Sequence, residues 1–254
     1  MKSLTVQGRF LELLSLENTC ISWKSVIYDL PHGVLQFAVN ASIDTLPTNA
    51  NLKRWSKRKN AKCDLCMKRE TLHHTLNHCQ MMLDRYLWHH NLVLQFIYEL
   101  FVAGNDGNEV FCDLDQSVPG ISTIPTDIVI TSQRPDLVIV DREEKSVTLF
   151  ELSIAFEANT DSTHDYKLKR YSHLVADIEN VGFKVFYYAF EVGSRGHISS
   201  ENVNRLKSFV KKHAPQCRMK SVKDTISKIA LLSSFIIFHS KFEEQWIRPK
   251  LITL

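Results

Sequence analysis

The chain has 254 residues, of which 44% are hydrophobic and 23% are charged. Both fractions are ordinary for a folded globular protein and exclude wholesale disorder. Eight glycines and seven prolines are about 6% of the chain, roughly half of average usage, which argues against collagen-like, linker-rich and turn-rich all-β architectures. Basic and acidic residues leave a net charge of only +3, so a preference for charged partners has to come from local clustering.

The first half of the chain is predicted to be mainly helical. Helical patterns cover residues 9–39, with a break at 29–33, and a turn-rich segment follows at 40–51. Residues 71–101 again show apolar positions at helical spacing. Residues 104–125, which contain Gly, Asn, Asp and Pro, are predicted to be a loop.

The second half changes from helical to strand periodicity. In chain order the pattern predicts strands at 135–140 and 147–156 joined as a hairpin, a helix at 161–180, a strand at 183–192, and helices at 199–213 and 220–239. The strand at 183–192 is apolar on both faces, which is typical of a central buried strand. A mixed α/β layer fold follows. The predicted units are a helical segment at 1–52, a basic cysteine-containing segment at 53–84 and an α/β domain at 85–254.

The termini and the cysteines indicate the compartment. The N-terminus carries acids within its apolar pattern and has no small-residue cleavage site, so no secretory signal is expected. The apolar stretch at 229–238 is too short to span a bilayer. Three of the six cysteines fall within residues 63–79. This usage favours a reducing compartment and one metal site over a disulfide-stapled secreted domain.

The cysteine and histidine spacing predicts a zinc site. Cys63 and Cys66 form a C-x2-C pair, and His74 and Cys79 complete the pattern C-x2-C-x7-H-x4-C. Four such ligands make a closed tetrahedral site, which is structural because no position is left for substrate. His74 and His78 share a helical face, so a Cys-Cys-His-His set is a rival; the alternative to zinc is a coincidence of buried cysteines and surface histidines.

A basic block surrounds the first two cysteines. Residues 53–69 contain one acid, Asp64, and eight cations: Lys53, Arg54, Lys57, Arg58, Lys59, Lys62, Lys68 and Arg69. Trp55 lies among them. A run of this kind is often only a solvated face, but next to a zinc knuckle it favours contact with nucleic-acid phosphates.

Two acids stand out in the predicted strands. Asp136 opens one strand, and Glu151 lies in the middle of the next, on the face opposite Phe150 and Leu152. A carboxylate on a buried strand is costly unless it is paired or binds a metal. Together the two acids could hold a magnesium ion, which could support phosphodiester cleavage. The alternative is that Glu151 forms a structural ion pair with a Lys or Arg.

These features together resemble the restriction-like endonuclease domain at the C-terminal end of site-specific non-LTR retrotransposon polyproteins. The resemblance runs from about Phe37 onwards. In the first half of the chain, FAVNASIDTLPTNANLKRW (37–55) resembles the segment before the family's zinc knuckle, and the CCHC pattern resembles the knuckle itself, including its lead-in Glu70-Thr71-Leu72. His90-Asn91 resembles part of a family Arg-His-Asn element, with His89 where Arg is usual. In the second half, the resemblance rests on RPDLVIV (134–140), FELSIAFE (150–157), KLKRY (167–171) and GSRG (193–196).

The resembled family belongs to the PD-(D/E)xK nucleases, and the chain departs from their usual pattern at one position. The lysine normally found two residues after the glutamate is Ser153 here. In the retrotransposon branch this lysine is taken to lie on the following helix, where Lys167 matches it and Lys169 competes. Lys167, Arg170 and Tyr171 share a helix face and could reach back to the acids.

The resemblance implies a fold and a function. The fold is a restriction-endonuclease-like mixed-sheet core flanked by helices, after a helical region and a zinc knuckle. The function is nicking of target DNA to prime reverse transcription. Asp136 and Glu151 would bind magnesium or manganese, Lys167 and Tyr171 would complete the catalytic set, and zinc would be structural. The implied partners are DNA, element RNA and an upstream reverse transcriptase domain of the same polyprotein, in the nucleus and without a membrane.

No reverse-transcriptase signature, such as an aromatic residue followed by two aspartates, occurs in the chain. The chain is therefore expected to be a fragment, a truncated copy or a domesticated remnant that does not polymerise DNA by itself. The leading rival function is a decayed, non-catalytic nucleic-acid-binding module. A protein–protein adaptor is a third class, and it would show no salt-dependent affinity for nucleic acid.

Overall fold

The computed structural model describes residues 29–102, 107–114, 124–243 and 245–249, together with Gly8 and Phe10. The helical pieces predicted before residue 29 lie outside these ranges, apart from Phe10, which is helical. Among the described residues, no helix combines the length and the apolar character needed to cross a membrane.

Within residues 29–69 of the structure, two helices lead into the basic block, and the second ends inside it. Helix α1 covers His32–Ser42 and helix α2 covers Asn49–Arg54. Thr48 begins α2 by accepting a hydrogen bond from the Asn51 backbone N–H through its side chain at 3.2 Å, which satisfies one of the unpaired donors of the first turn. The turn-rich character of residues 40–51 is confirmed between the helices, but the pattern missed α2.

The helical pattern at 71–101 is divided in the structure. A π-helical turn at His74–His78 and a 3₁₀ turn at Gln80–Met82 precede helix α3, Leu83–Val102. Cys79 separates the two turns in an extended conformation (φ −78°, ψ 114°). The helix starts late because the preceding residues bring His74 and Cys79 together with the C-x2-C pair.

Four strands form one mixed sheet in the order β1-β2-β3-β4. They are β1 (Glu109–Cys112), β2 (Leu137–Asp141), β3 (Ser146–Ala155) and β4 (Lys184–Gly193). The first three pair antiparallel, and β4 pairs parallel to β3 after a crossover through helix α4, Thr160–Asn180. The predicted hairpin and the three predicted strands are confirmed.

Two sequence expectations about the sheet were wrong. The segment predicted as a loop at 104–125 contains β1, which is short and only half-buried and so gives a weak strand pattern. β4 was expected to be a central strand, but it lies at the edge of the described sheet. Its apolar residues on both faces are explained by helices on both sides, since β4 packs against α4 and against helix α5, Ser200–His213.

Helices cover both faces of the sheet. Helix α4 packs on one face, where Tyr171, Leu174 and Ile178 contact the odd-numbered apolar residues of β3. Helices α3, α5 and α6 (Met219–His239) pack on the other face, against residues such as Phe150 and Leu152. The predicted mixed α/β layer fold is confirmed at this level.

Helix α6 also joins the sheet domain to the N-terminal helices. Its Phe235 and Phe238 rings each lie 5.7 Å from the ring of Phe37 on α1. Cys63 and Cys79 belong to the same apolar cluster. The cysteine-containing segment therefore packs on a shared core. The division into units at 1–52, 53–84 and 85–254 stays a prediction.

Candidate functional site

The four predicted zinc ligands converge. One ligand atom from each of Cys63, Cys66, His74 and Cys79 lies within 4.8 Å of the others. The sulfurs of Cys63 and Cys79 are 3.9 Å apart, close to the ~3.8 Å edge of a tetrahedron with Zn–S bonds of about 2.3 Å. Cys66 Sγ lies 3.3 Å from His74 Nε2. This Cys₃His cluster can hold a metal ion such as zinc.

The rival ligand His78 lies outside the cluster. Its side chain is exposed, and its ring makes an edge-to-face contact with the His73 ring, with the centroids 4.1 Å apart. His74 is buried and is one of the four converging ligands, whereas His78 is not among them. The structure therefore brings together the Cys-Cys-His-Cys set.

A buried polar network supports the knuckle. Glu70 is almost fully buried and accepts hydrogen bonds from Asn49 Nδ2 and from Lys241 Nζ, both at 2.8 Å. Tyr86 on α3 accepts a bond from the Cys79 backbone N–H at 3.0 Å and donates to Thr75 O at 2.8 Å. Residues far apart in sequence thus hold the backbone of the ligand turn.

The basic block lies at the surface beside the cluster. All of its cations are exposed except Arg58, which is half-buried and forms an ion pair with Asp64. Arg54 donates to Asn51 Oδ1 at 2.7 Å. The Trp55 side chain is 38% exposed. The block therefore presents several lysines and an aromatic surface to solvent.

The two strand acids face each other at the end of the β2–β3 pair. Leu137 is opposite Phe150, which places Asp136 opposite Glu151. The Asp136 backbone N–H donates to Glu151 Oε2 at 3.3 Å, and Asp136 Oδ2 accepts from Leu152 N at 2.7 Å. Burial raises the pKa of Glu151, and the Asp136 carboxylate raises it further, to about 7.

Lys167 reaches the acids from α4. Its Nζ forms an ion pair with Glu151 Oε1. Lys169, the competing lysine, is exposed, and so is Arg170, whose guanidinium lies over the Tyr171 ring at 5.5 Å. The structure therefore brings Lys167 to the acid pair and leaves Lys169 in solvent.

Tyr171 contacts the segment that carries Asp136. It is fully buried, and its hydroxyl donates to Arg134 O at 3.1 Å. Burial raises its pKa, with a further contribution from the Glu151 carboxylate. A neutral Tyr171 thus supports the backbone two residues before Asp136.

Sequence reasoning left His90 out of the site. His90 Nε2 lies 3.3 Å from Asp136 Oδ2, and His90 Nδ1 lies 3.1 Å from Asn91 Oδ1. Burial alone would lower the pKa of His90, but the Asp136 carboxylate raises it to about 9. The neighbouring His89 is buried, and burial lowers its pKa to about 3. The sequence signal for this residue is the His90-Asn91 pair.

Sequence reasoning also missed Glu191. This residue of β4 is 1% exposed and shares the α4-facing side of the sheet with Ser153, its register partner. It pairs with His164 Nδ1 at 3.1 Å and with Arg205 Nη1 at 3.5 Å. A carboxylate within the apolar stretch FYYAFEV is the same kind of sequence signal as Glu151 in its strand. In the structure, however, the Glu191 carboxylate is paired with His164 and Arg205.

No model of a known protein family matches the chain, and no curated protein matches it significantly. The functional assignment therefore depends on the residues and contacts described above.

Proposed function

We propose that the chain is a metal-dependent DNA endonuclease that nicks one strand of a target duplex. The observation that supports this proposal best is that Asp136, just before β2, meets Glu151 of β3 and Lys167 of α4 at one place. Acids on adjacent strands with a nearby lysine are the arrangement that the resemblance to PD-(D/E)xK nucleases predicts, although the lysine comes from the helix.

Magnesium or manganese fits the two acids. These ions prefer oxygen ligands and bind through one or two carboxylates while they keep waters and contact substrate phosphates. Burial and then the facing Asp136 carboxylate raise the pKa of Glu151, and a divalent cation would favour the ionised form of both acids. Such an ion supplies water activation and charge stabilisation during phosphodiester hydrolysis.

The chain's own residues would orient the reacting groups. Lys167 carries a positive charge beside Glu151 and could hold the scissile phosphate. His90 contacts Asp136 Oδ2, the oxygen that also accepts a hydrogen bond from the Leu152 backbone N–H, and Tyr171 supports the backbone before Asp136. The Cys₃His cluster would bind zinc structurally, and the basic block would contact DNA phosphates.

The wider assignment follows from the same resemblance. The four-stranded mixed sheet with flanking helices is compatible with a restriction-endonuclease-like core. The nick would supply a 3′-hydroxyl for target-primed reverse transcription in the nucleus. A reverse transcriptase domain of the same polyprotein and the element RNA would be the partners in that reaction.

A decayed nucleic-acid-binding module is the second candidate. The direct ion pair between Lys167 and Glu151 favours it, because this pair satisfies the buried carboxylate without a metal. Both candidates predict DNA binding, and only the nuclease predicts strand cleavage.

A nicking assay on supercoiled plasmid with magnesium or manganese separates the two. Glu151→Gln and Asp136→Asn should each abolish nicking, and the double variant should lose no more, because the pair acts as a unit. DNA binding without added magnesium should not change. Glu143→Gln, an exposed residue of the β2–β3 turn, is the matched control.

Two results would contradict the nuclease proposal. Glu151→Gln nicking at the wild-type rate would refute the assigned site. A wild-type protein that binds DNA but never nicks it with either metal would support the binding module instead.

A further inference from the structure

A cavity of about 330 Å³ lies between the cysteine-containing knuckle and the acid pair. Asn77 and His78 of the π-helical turn form one wall, and residues 152–156 of β3 and its C-terminal extension form another. Asn159 and Thr163, before and at the start of α4, close a third side, and Lys167 and His90 lie at the end next to Glu151 and Asp136.

The knuckle wall is fixed to the sheet by direct contacts. Asn77 Nδ2 donates to Ile154 O at 3.0 Å, a bond that joins residues 77 positions apart. His73 Nε2 lies 3.2 Å from Asn159 Nδ2, and its ring lies 4.6 Å from that of Phe156. The metal-binding turn is therefore part of the wall beside the candidate catalytic residues.

The lining chemistry suits a phosphorylated molecule with an apolar part. None of the described residues that line the cavity is an aspartate or glutamate. Lys167 supplies a positive charge, His78, Asn159 and Thr163 can donate hydrogen bonds, and Phe156 offers an apolar ring. Asn77 lines the cavity as well, and its buried Oδ1 has no hydrogen-bond partner among the described residues.

The volume limits the size of that molecule. Ligand cavities of proteins commonly measure about 300–1,000 Å³, and this cavity is at the small end. Its volume is comparable to that of a single nucleotide.

We propose that this cavity is a subsite for one unpaired nucleotide of the nucleic-acid strand, next to the scissile phosphate, and that His78 of the knuckle contacts it directly. The assignment to a scissile strand rests on the proposed nuclease function. Binding of the nucleotide itself does not require catalysis, so the two can fail separately.

The test uses the zinc-loaded full chain and thymidine 5′-monophosphate, without added magnesium. Nucleotide binding is measured by calorimetric or NMR titration. His78→Ala removes one hydrogen bond to the ligand and should weaken binding roughly tenfold. Thr163→Tyr places a ring in the cavity and should abolish binding.

Matched controls separate the cavity from general effects. Gln80→Ala changes an exposed residue of the same knuckle, and Ser162→Tyr adds the same ring one position away on the exposed side of α4. Both should bind the nucleotide like wild type. Zinc content and unfolding temperature should be unchanged in all four variants.

The outcomes decide between the proposals. No binding by the wild type at millimolar nucleotide, or equal binding by wild type and Thr163→Tyr, would overturn the subsite even if the protein nicks DNA. Nucleotide binding that is lost in Thr163→Tyr would support the subsite even if no nicking is found.

Discussion

Lys167 and Lys169 are two residues apart on α4 and have different surroundings. Lys167 is half-buried against Glu151, whereas Lys169 is exposed. If Lys167 orients the phosphate, Lys167→Ala should slow nicking by roughly 10²-fold or more, in the range typical for loss of one electrostatic contact to the transition state. Single-turnover nicking rates at saturating magnesium measure this effect.

Lys169→Ala is the matched control, because it removes the same charge from the same helix. It should nick at a rate close to wild type. Equal loss of rate in the two variants would show that the effect comes from net charge and not from the position beside Glu151.

His213 predicts how stability depends on pH. Burial lowers its pKa to about 4, and its Nε2 lies 3.0 Å from Thr148 Oγ1. The pKa of His213 is lower in the folded than in the unfolded protein, so neutral His213 favours the folded state. Its contribution to the free energy of unfolding is therefore complete above about pH 6.5 and is lost as the pH falls towards 4. Between pH 7.5 and pH 5, the wild type should lose on the order of 1–2 kcal/mol through this histidine.

His213→Gln keeps a side chain that can bond to Thr148 but does not titrate in this range. Denaturant unfolding gives the free energy of unfolding of both proteins at the two pH values. The loss of stability between pH 7.5 and pH 5 is compared between wild type and variant, because the other histidines contribute equally to both. An identical pH dependence of the two unfolding free energies would show that His213 titrates normally in the folded protein.

At the scale of elements, the knuckle turn should depend on zinc if the Cys₃His cluster binds it. Structural zinc contributes roughly 10–16 kcal/mol of apparent binding free energy. Cys66→Ser removes one of four ligands and should lose most of the zinc, along with the local fold of residues 63–79. Elemental analysis should find about one zinc per wild-type chain and much less in the variant.

Cys217→Ser is the control for this substitution. Cys217 is half-buried and lies outside the Cys₃His cluster, so the variant should keep its zinc. Well-folded wild-type protein without zinc would show that the ligand assignment is wrong.

The loop after β4 shows that a resembled motif can have a structural role. Arg195 of GSRG forms a buried ion pair with Glu157 at 2.7 Å, and its guanidinium lies 4.4 Å from the Phe156 ring centroid. A Cβ at Gly193 would lie 2.5 Å from Glu157 Oε1. Only glycine fits at position 193, because Glu157 approaches its backbone so closely. The Arg195–Glu157 ion pair connects the loop after β4 to the β3–α4 junction, which borders the cavity.

For the whole molecule, the basic block predicts how nucleic-acid affinity depends on salt. Each phosphate contact contributes about −0.7 to −0.9 to the slope of log affinity against log salt. Arg58 is paired with Asp64, so the exposed Lys53, Lys57 and Lys59 are the better targets. Changing all three to Ala should make the slope shallower by about 2–3, as measured by fluorescence anisotropy across a salt series.

A second triple variant controls for net charge. Lys207, Lys211 and Lys220 are exposed on α5 and α6, and replacing them with Ala removes the same three charges. Their loss should leave the slope almost unchanged. If both triple variants behave alike, nucleic acid does not bind specifically at the basic block.

Much of the fold could be predicted from local pattern. Strand periodicity located β2, β3 and β4, and helical periodicity located α4, α5 and α6 within one or two residues. The alternation of apolar and polar residues in β3 predicted that Glu151 lies on the other face of the strand from Phe150 and Leu152. The cysteine spacing indicated all four ligands of the cluster. These features are local, because periodicity and ligand spacing are set by a few neighbouring residues.

Other features needed the tertiary structure. The choice of Lys167 over Lys169 depends on how α4 lies on the sheet. The contact of His90 with Asp136 depends on the packing of α3 against β3. The edge position of β4 and the cavity between the knuckle and β3 arise from pairing between distant segments. A local sequence pattern does not predict such contacts, because the packing of segments that are distant in sequence decides which surfaces meet.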